Sequence, residues 1–257
     1  MTQRQVKAAV LLIGDELLSG RTQDVNLQTI AKFVAPLGVQ IAEARVVSDA
    51  PEEIVAAVNA LRAKYDYVFT TGGIGPTHDD KTADAMAAAF GVGIDVRDDA
   101  RAILEAHYKG ASNLNDARLR MARIPDGASL IANPVSRAPG FQIGNVFVMA
   151  GVPSIMRGML EDVGPRLEGG AVVRSVTVRG KGVREGDIAK GLEALEAASD
   201  GKVAFGSYPW FMPGDFGLHL VARSADDAAL TKAGADMVEL IRARGGSPEI
   251  VVDPAQT

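Results

Sequence analysis

Val6 to Ile13, VKAAVLLI, is an almost unbroken apolar run that stops at Gly14-Asp15-Glu16. A strand with one wet face alternates apolar and polar residues, whereas a run apolar at successive positions is covered on both faces, as in the parallel sheets of α/β folds. The next segments keep to that plan. DVNLQTIAKFVAPLG puts Leu27, Ile30, Ala31 and Val34 on one helical face, with Asp24 predicted to cap the helix and Pro36 and Gly38 to close it. Val39 to Val47 is a predicted second strand. SDAPEEIVAAVNALRAKY is a predicted helix with Ile54, Val55, Val58 and Leu61 inward, and with Asp49 and Glu52 in a capping arrangement. Residues 65 to 71 make a third strand. Helices are predicted in TADAMAAAFG and over 98 to 108, with a short one in ARLRMARIP. Two strands then flank Gly144-Asn145, a pair suited to a tight hairpin, and a helix follows with Ser154 at its cap and Ile155, Met159, Leu160 and Val163 inward. Strands alternating with helices imply an α/β fold, a doubly wound three-layer sandwich with right-handed crossovers and its ligand beyond the carboxyl ends of the strands.

The pattern changes at residues 164 to 170. VVRSVTV reads as a strand, DIAKGLEALEAA as a helix capped by Asp187, KVAFGSY and FGLHLVA as strands, and DDAALTKAGADMVELIRARG as a long helix before EIVV. That order makes a small α+β unit, so domains of 1–170 and 171–257 are expected. A formal charge of -5 argues against nucleic acid as a partner, since such proteins carry a basic face. The absence of cysteine excludes thiolate zinc sites and cysteine nucleophiles, and His78, His107 and His219 lie far apart. The N-terminal apolar run is too short for a membrane span, so a soluble cytoplasmic protein without a membrane partner is expected.

The third strand ends in TTGGIGPTHDDKTAD, residues 70 to 84. Gly72, Gly73 and Gly75 lack a Cβ, so their amides can approach a phosphate, and a following helix adds its positive dipole end. Two named nucleotide motifs are excluded. Asp80 stands before Lys81-Thr82 where a P-loop needs glycine, and His78 replaces the third glycine of G-x-G-x-x-G. Asp79, Asp80 and Asp84 are oxygen ligands of the type that divalent metals take, while Asp79 or Asp80 as a helix cap is the competing explanation. Asp15 and Glu16 lie at the same presumed edge, with a solvated turn as their alternative. Arg174, Arg179, Lys181 and Arg184 read as a solvated strand edge, with phosphate contact as the alternative. Tyr208, Trp210 and Phe211 read as small-domain core or as a platform for a flat ring.

TTGGIGPTHDDKTADA resembles the signature of the MoaB/Mog, or molybdopterin-binding, domain family. GDELLSGRTQDVNLQTIA, NPVSRAPGF and AGVPSIM resemble the N-terminal part of CinA, the competence-damage inducible proteins, and equally the N-terminal domain of eukaryotic FAD synthases. FGSYPWF is similar to the small KH-like α+β domain that follows in CinA. The resemblance implies two activities. Mog-type proteins bind and adenylylate molybdopterin through two aspartates, which by position are Asp49 and Asp80. CinA-type domains hydrolyse ADP-ribose-like pyrophosphates with a divalent metal (Mg, Mn or Co), and the FAD synthase counterpart acts on FAD. A metal-dependent pyrophosphatase is therefore the expectation, with a molybdopterin carrier or adenylyltransferase as the alternative. The resemblance carries further ligand contacts: Gly14, Asp15 and Glu16; Thr71 to Gly73, Gly75, Pro76 and Thr77; Pro139 and Gly140; Gly151, Pro153 and Ser154. Metal contacts would be Asp79, Asp80 and Asp84. It also implies a homo-oligomer, dimer or trimer. Ser136 replaces a usual glycine and Ala150 a usual proline.

Overall fold

The structure, a computed structural model, describes residues 4–110 and 113–251. The chain divides into two compact units, one up to Ala171 and one from Val172.

The first unit runs β1 (Val6–Ile13), α1 (Asp15–Leu18), α2 (Asn26–Val34), β2 (Val39–Val47), α3 (Pro51–Lys64) and β3 (Tyr67–Thr71). Then come α4 (Thr82–Phe90), β4 (Ile94–Val96), α5 (Asp98–His107), α6 (Asp116–Arg120) and β5 (Arg123–Pro125). It ends with β6 (Ser129–Ile131), β7 (Gly140–Ile143), β8 (Val146–Met149) and α7 (Pro153–Val163). Six strands form one sheet in the order β2-β1-β3-β8-β7-β6. β1, β2, β3 and β8 are mutually parallel, while β7 returns antiparallel through the Gly144-Asn145 hairpin and pairs with β6. The sheet is thus mixed α/β. β4 and β5 pair separately, and β4, β6 and α1 are elements that the periodicity did not announce.

Each central strand feeds both faces. Ala9, Leu11 and Ile13 of β1 pack with Ile54, Val58 and Leu61 of α3 and Met86 of α4. Ala8, Val10 and Leu12 pack with Ile30 and Val34 of α2 and Met159, Leu160 and Val163 of α7. This double burial is what the unbroken apolar run specifies, because consecutive side chains of a strand point to opposite sides. Phe69 and Phe147 stack on the second face with ring centroids 5.4 Å apart.

Several helix starts differ from the expected caps. α3 begins at Pro51 with no side-chain cap, and the Glu53 and Ile54 amides turn to the Ala50 carbonyl. α7 begins at Pro153, and the Ile155 and Met156 amides turn to Val152. Proline at the first turn has no N–H to satisfy and fixes φ, so neither Asp49 with Glu52 nor Ser154 is needed as a cap. Asp24 does accept the Asn26 and Leu27 amides at 3.1 Å each, although the helix starts two residues later. No helix among the described residues is long and apolar enough to cross a membrane.

The second unit contains β9 (Arg174–Lys181), α8 (Glu185–Ala198), β10 (Ala204–Met212), β11 (Asp215–Ser224), α9 (Asp227–Arg242) and β12 (Ser247–Val251). Its antiparallel sheet has the order β10-β11-β9-β12, with Val178, Leu218 and Leu220 packed on Ile188, Met237 and Ile241. Asp187 sits inside α8 and does not cap it, whereas Asp226 caps α9 by accepting the Ala228 and Ala229 amides. β9 is an internal strand, so its basic run is not a sheet edge. Arg174 pairs with Asp227, Lys181 lies 2.9 Å from Asp215, Arg179 lies over Trp210, and Arg184 lies over Phe216. Tyr208 and Phe211 are exposed rather than core.

Phe147→Ala is expected to destabilise the first unit by about 3–5 kcal/mol, the cost of a cavity beside Phe69. Denaturant unfolding followed by circular dichroism measures it, and a loss below about 1 kcal/mol would mean that the aromatic layer is not packed as described.

Candidate active site

The sheet's parallel strands deliver their carboxyl ends to one edge. β1 and β3 lie side by side there although β2 was added to the other flank of β1, which makes this the topological switch point where α/β sheets hold ligands. At that point Gly72 has φ +106°, and a Cβ built on it would stand 2.1 Å from the Ile13 carbonyl oxygen. A Cβ on Gly151, after β8, would stand 3.2 Å from the Gly72 Cα. Three chain segments therefore meet backbone to backbone, and at Gly72 only glycine permits it. The Gly72 amide donates to the Met149 carbonyl at 3.2 Å, and Asn26 Nδ2 donates to the Gly151 carbonyl at 2.7 Å.

Thr82, at the start of α4, pins the next turn. Its hydroxyl donates to the Gly72 carbonyl at 2.9 Å and its amide to the Gly73 carbonyl at 3.0 Å. Gly73 has φ +65°, and a side chain there would collide with the Thr82 hydroxyl at 2.2 Å. Asp80 does not cap α4, whose N-cap is Lys81 without a side-chain bond. Instead the Asp80 carboxylate turns back into its own loop, where Oδ2 accepts from the Thr77 amide at 2.8 Å and from the Thr77 hydroxyl at 2.6 Å. It lies so close to Gly75 that a Cβ there would stand 2.7 Å from Oδ2. The amides of Gly73, Ile74 and Gly75 have no partner among the described residues.

These residues border a cleft of about 580 Å³. Of the residues expected in the site, Glu16, Gly72, Gly73, Gly75, Pro76 and Asp80 line it, as do Gly151 and Pro153. Asp84 and Pro139 line a smaller recess beside it. Thr71 and Gly140 are buried within strands; Gly140 is needed there because a Cβ would meet the Val148 carbonyl at 2.4 Å. Gly14, Asp15, Asp49, Thr77, Asp79 and Ser154 do not line the cleft. Ile74, Met121, Val152 and Ile155 supply apolar walls, and Tyr108 and Asn133 complete them. Sequence reasoning passed over Thr22, Tyr108 and Met121, which lie in a loop and just after the ends of α5 and α6, where no periodicity marks them. Ser136, in place of the usual glycine, accepts from Asn133 Nδ2 at 2.7 Å and so tightens the turn before β7.

The acidic groups do not converge on one point. Asp49 Oδ2 accepts the Asp15 amide at 3.0 Å, bridging the ends of β2 and β1. Burial raises the Asp49 carboxyl above the ordinary aspartate range; that hydrogen bond opposes the shift, and the like charges of Asp15, Glu16 and Asp79 add to it. Asp84 makes a two-pronged ion pair with Arg123, at 2.6 and 2.7 Å. Among the described residues no group of three histidine or acidic side chains is placed to hold a metal ion. Asp79, Asp80 and Asp84 thus do not fit a resident cation: one is committed to Arg123 and another to Thr77.

Comparison with known proteins bears on the same residues. The family described as "Probable molybdopterin binding domain" matches residues 9–169, and "FAD synthase, middle domain" matches residues 176–246. A CinA-like protein of Citrifermentans bemidjiense is 38% identical over 78% of this chain and 50% of its own length. A second, from Gemmatimonas aurantiaca, is 34% identical over 90% of this chain and 58% of its own. The chain therefore spans about half the length of these curated relatives. The crystal structure of CinA from Thermoplasma acidophilum, described as of unknown function, superimposes with a TM-score of 0.60 at 34% identity, covering 63% of this chain and 99% of that one. The chain belongs to the MoaB/Mog family of molybdopterin-binding-type domains, with CinA-like proteins among its relatives.

Proposed function

We propose that the cleft binds a nucleotide diphosphate, ADP-ribose or FAD, and hydrolyses its pyrophosphate bond. The observation that carries this reading is the trio of uncommitted amides at Gly73, Ile74 and Gly75, set in the wall of a largely apolar cleft at the switch point. Amides without partners are costly when shielded from water, and oxygen atoms of a phosphate satisfy them. The apolar walls suit a flat ring. In the reaction, water attacks one phosphorus, the bridging P–O bond breaks, and two phosphomonoesters leave. Asp80 Oδ2 is occupied by Thr77, so Oδ1 is the oxygen left to accept a proton from the attacking water. The amides stabilise charge on the nonbridging oxygens as it develops. Among the described residues no group of three acidic or histidine side chains could hold a metal by itself, so a magnesium, manganese or cobalt ion enters this reading as a companion brought in by the diphosphate.

The family's own description favours a second reading, a molybdopterin carrier or adenylyltransferase using the same cleft. Pterin fluorescence that co-purifies with the protein, or ATP-dependent adenylylation of molybdopterin, would favour it over hydrolysis.

Incubation with ADP-ribose or FAD, with each of the three metals and with chelator, is expected to release AMP. If no combination binds or turns over either compound, the hydrolase reading fails. Asp80→Asn is expected to lower kcat about 100-fold or more, the scale of a lost general base, while KM changes little. Asp49 supplies a pH signature. Its raised carboxyl means that the folded state holds the proton more tightly than the unfolded chain, so the contribution to stability is present at low pH and lost as pH rises through the folded value. Asp49→Asn is therefore expected to melt at a higher temperature than wild type at pH 7 and at the same temperature near pH 3. Parallel melting curves at all pH values would contradict the assigned burial.

A further inference from the structure

We infer that Arg120 is the side chain that grips the anionic part of the ligand, an inference that rests on the diphosphate reading above. Arg120 closes α6 and lines the recess of about 20 Å³ that adjoins the cleft, sharing Gly73, Ile74, Gly75, Asp80 and Met121 with it. Its Nη2 donates to the Asp80 carbonyl at 3.1 Å, which holds the guanidinium against the glycine turn. Its Nε is buried and has no hydrogen-bond partner among the described residues. Nor does Arg120 have a carboxylate partner among the described residues, whereas Arg123, three residues on and in the same recess, is neutralised by Asp84.

A guanidinium carries five N–H donors in a fixed fork, and a shielded one without a counter-charge is destabilised until an anion or water reaches it. The recess is large enough for one water molecule or one oxygen atom of a larger group. Gly73, Ile74 and Gly75, whose amides have no partner among the described residues, line the same recess. An oxygen entering there would satisfy Nε and an amide together, and a phosphate is the group that offers several such oxygens with charge. Asp84 contributes by removing Arg123 from the competition, which leaves Arg120 as the cation available in the recess.

The test compares wild type with Arg120→Gln and Arg120→Lys by calorimetric titration of ADP-ribose, inorganic pyrophosphate and adenosine, with a melting curve for each protein. Arg120→Gln is expected to bind both anions about 10- to 100-fold more weakly, the span of one to two charged hydrogen bonds, with adenosine affinity and melting temperature unchanged. In turnover the loss should fall on KM. Arg120→Lys keeps the charge but not the fork, should fold even where the glutamine variant does not, and should lose part of the anion affinity. Anion affinities equal to wild type in both variants would overturn the inference while leaving the hydrolase reading standing, with a bound water as the partner of Nε. A parallel loss of adenosine affinity and melting temperature would also overturn it, making Arg120 a structural strut. Wild type that binds neither anion would remove the hydrolase reading and this inference together.

Discussion

The site depends on the contact at Gly72, where the ends of β1 and β3 and the turn after β8 are packed main chain against main chain. Side chains cannot intervene at these distances, so the position of each loop is set by the sheet beneath it. The hydrogen bonds of Thr82 to Gly72 and Gly73 and of Asn26 to Gly151 then fix the turns. A turn held in this way keeps its amides oriented without help from a ligand. That is the preorganisation required for electrostatic stabilisation, which fails if donors must first be arranged.

The same contact explains the glycines more economically than ligand binding alone. Gly72 is glycine because of its positive φ and the Ile13 carbonyl, and Gly73 because of its positive φ and Thr82. Neither needs a phosphate to account for it. What points to a ligand is which donors these constraints leave over. The Gly72 amide is used in the sheet and the Thr77 amide by Asp80, while the three amides between them are spent on nothing.

The layered fold was legible because burial on both faces writes itself into consecutive apolar residues, as in β1, and because helices facing a sheet carry a clear apolar stripe. Short strands such as β4 and β6, of three residues each, have no periodicity to read. The order of the loops at the switch point was legible too, since every strand end carries glycine or acid. The destinations of the side chains were not. Asp49 looked like a cap and instead bridges to Asp15; Asp84 looked like a metal ligand and instead meets Arg123, 39 residues away. Arg120 carries no local pattern, because its importance comes from a pairing that its neighbour makes and it does not.

Charge is unevenly divided among the residues in and around the cleft. Asp15, Glu16, Asp49 and Asp79 form a negative group, whose charges add to the upward shift of Asp49. A diphosphate approaching these carboxylates is repelled, and screening by salt weakens the repulsion only for the exposed members. The residues of the glycine turn have the opposite character: among the described residues its three amides have no partner, and the Arg120 guanidinium beside it has no carboxylate partner. Asp80 stands between the two, with one oxygen held by Thr77 and its backbone carbonyl holding Arg120. A ligand with an uncharged ring and a compact anionic middle gains from this division, since its phosphate oxygens enter where donors are free while its ring covers the apolar wall. An extended polyanion gains less, because any phosphate beyond the recess would face the carboxylates. On the reading proposed above, this division suits a single diphosphate unit joined to flat, weakly charged groups.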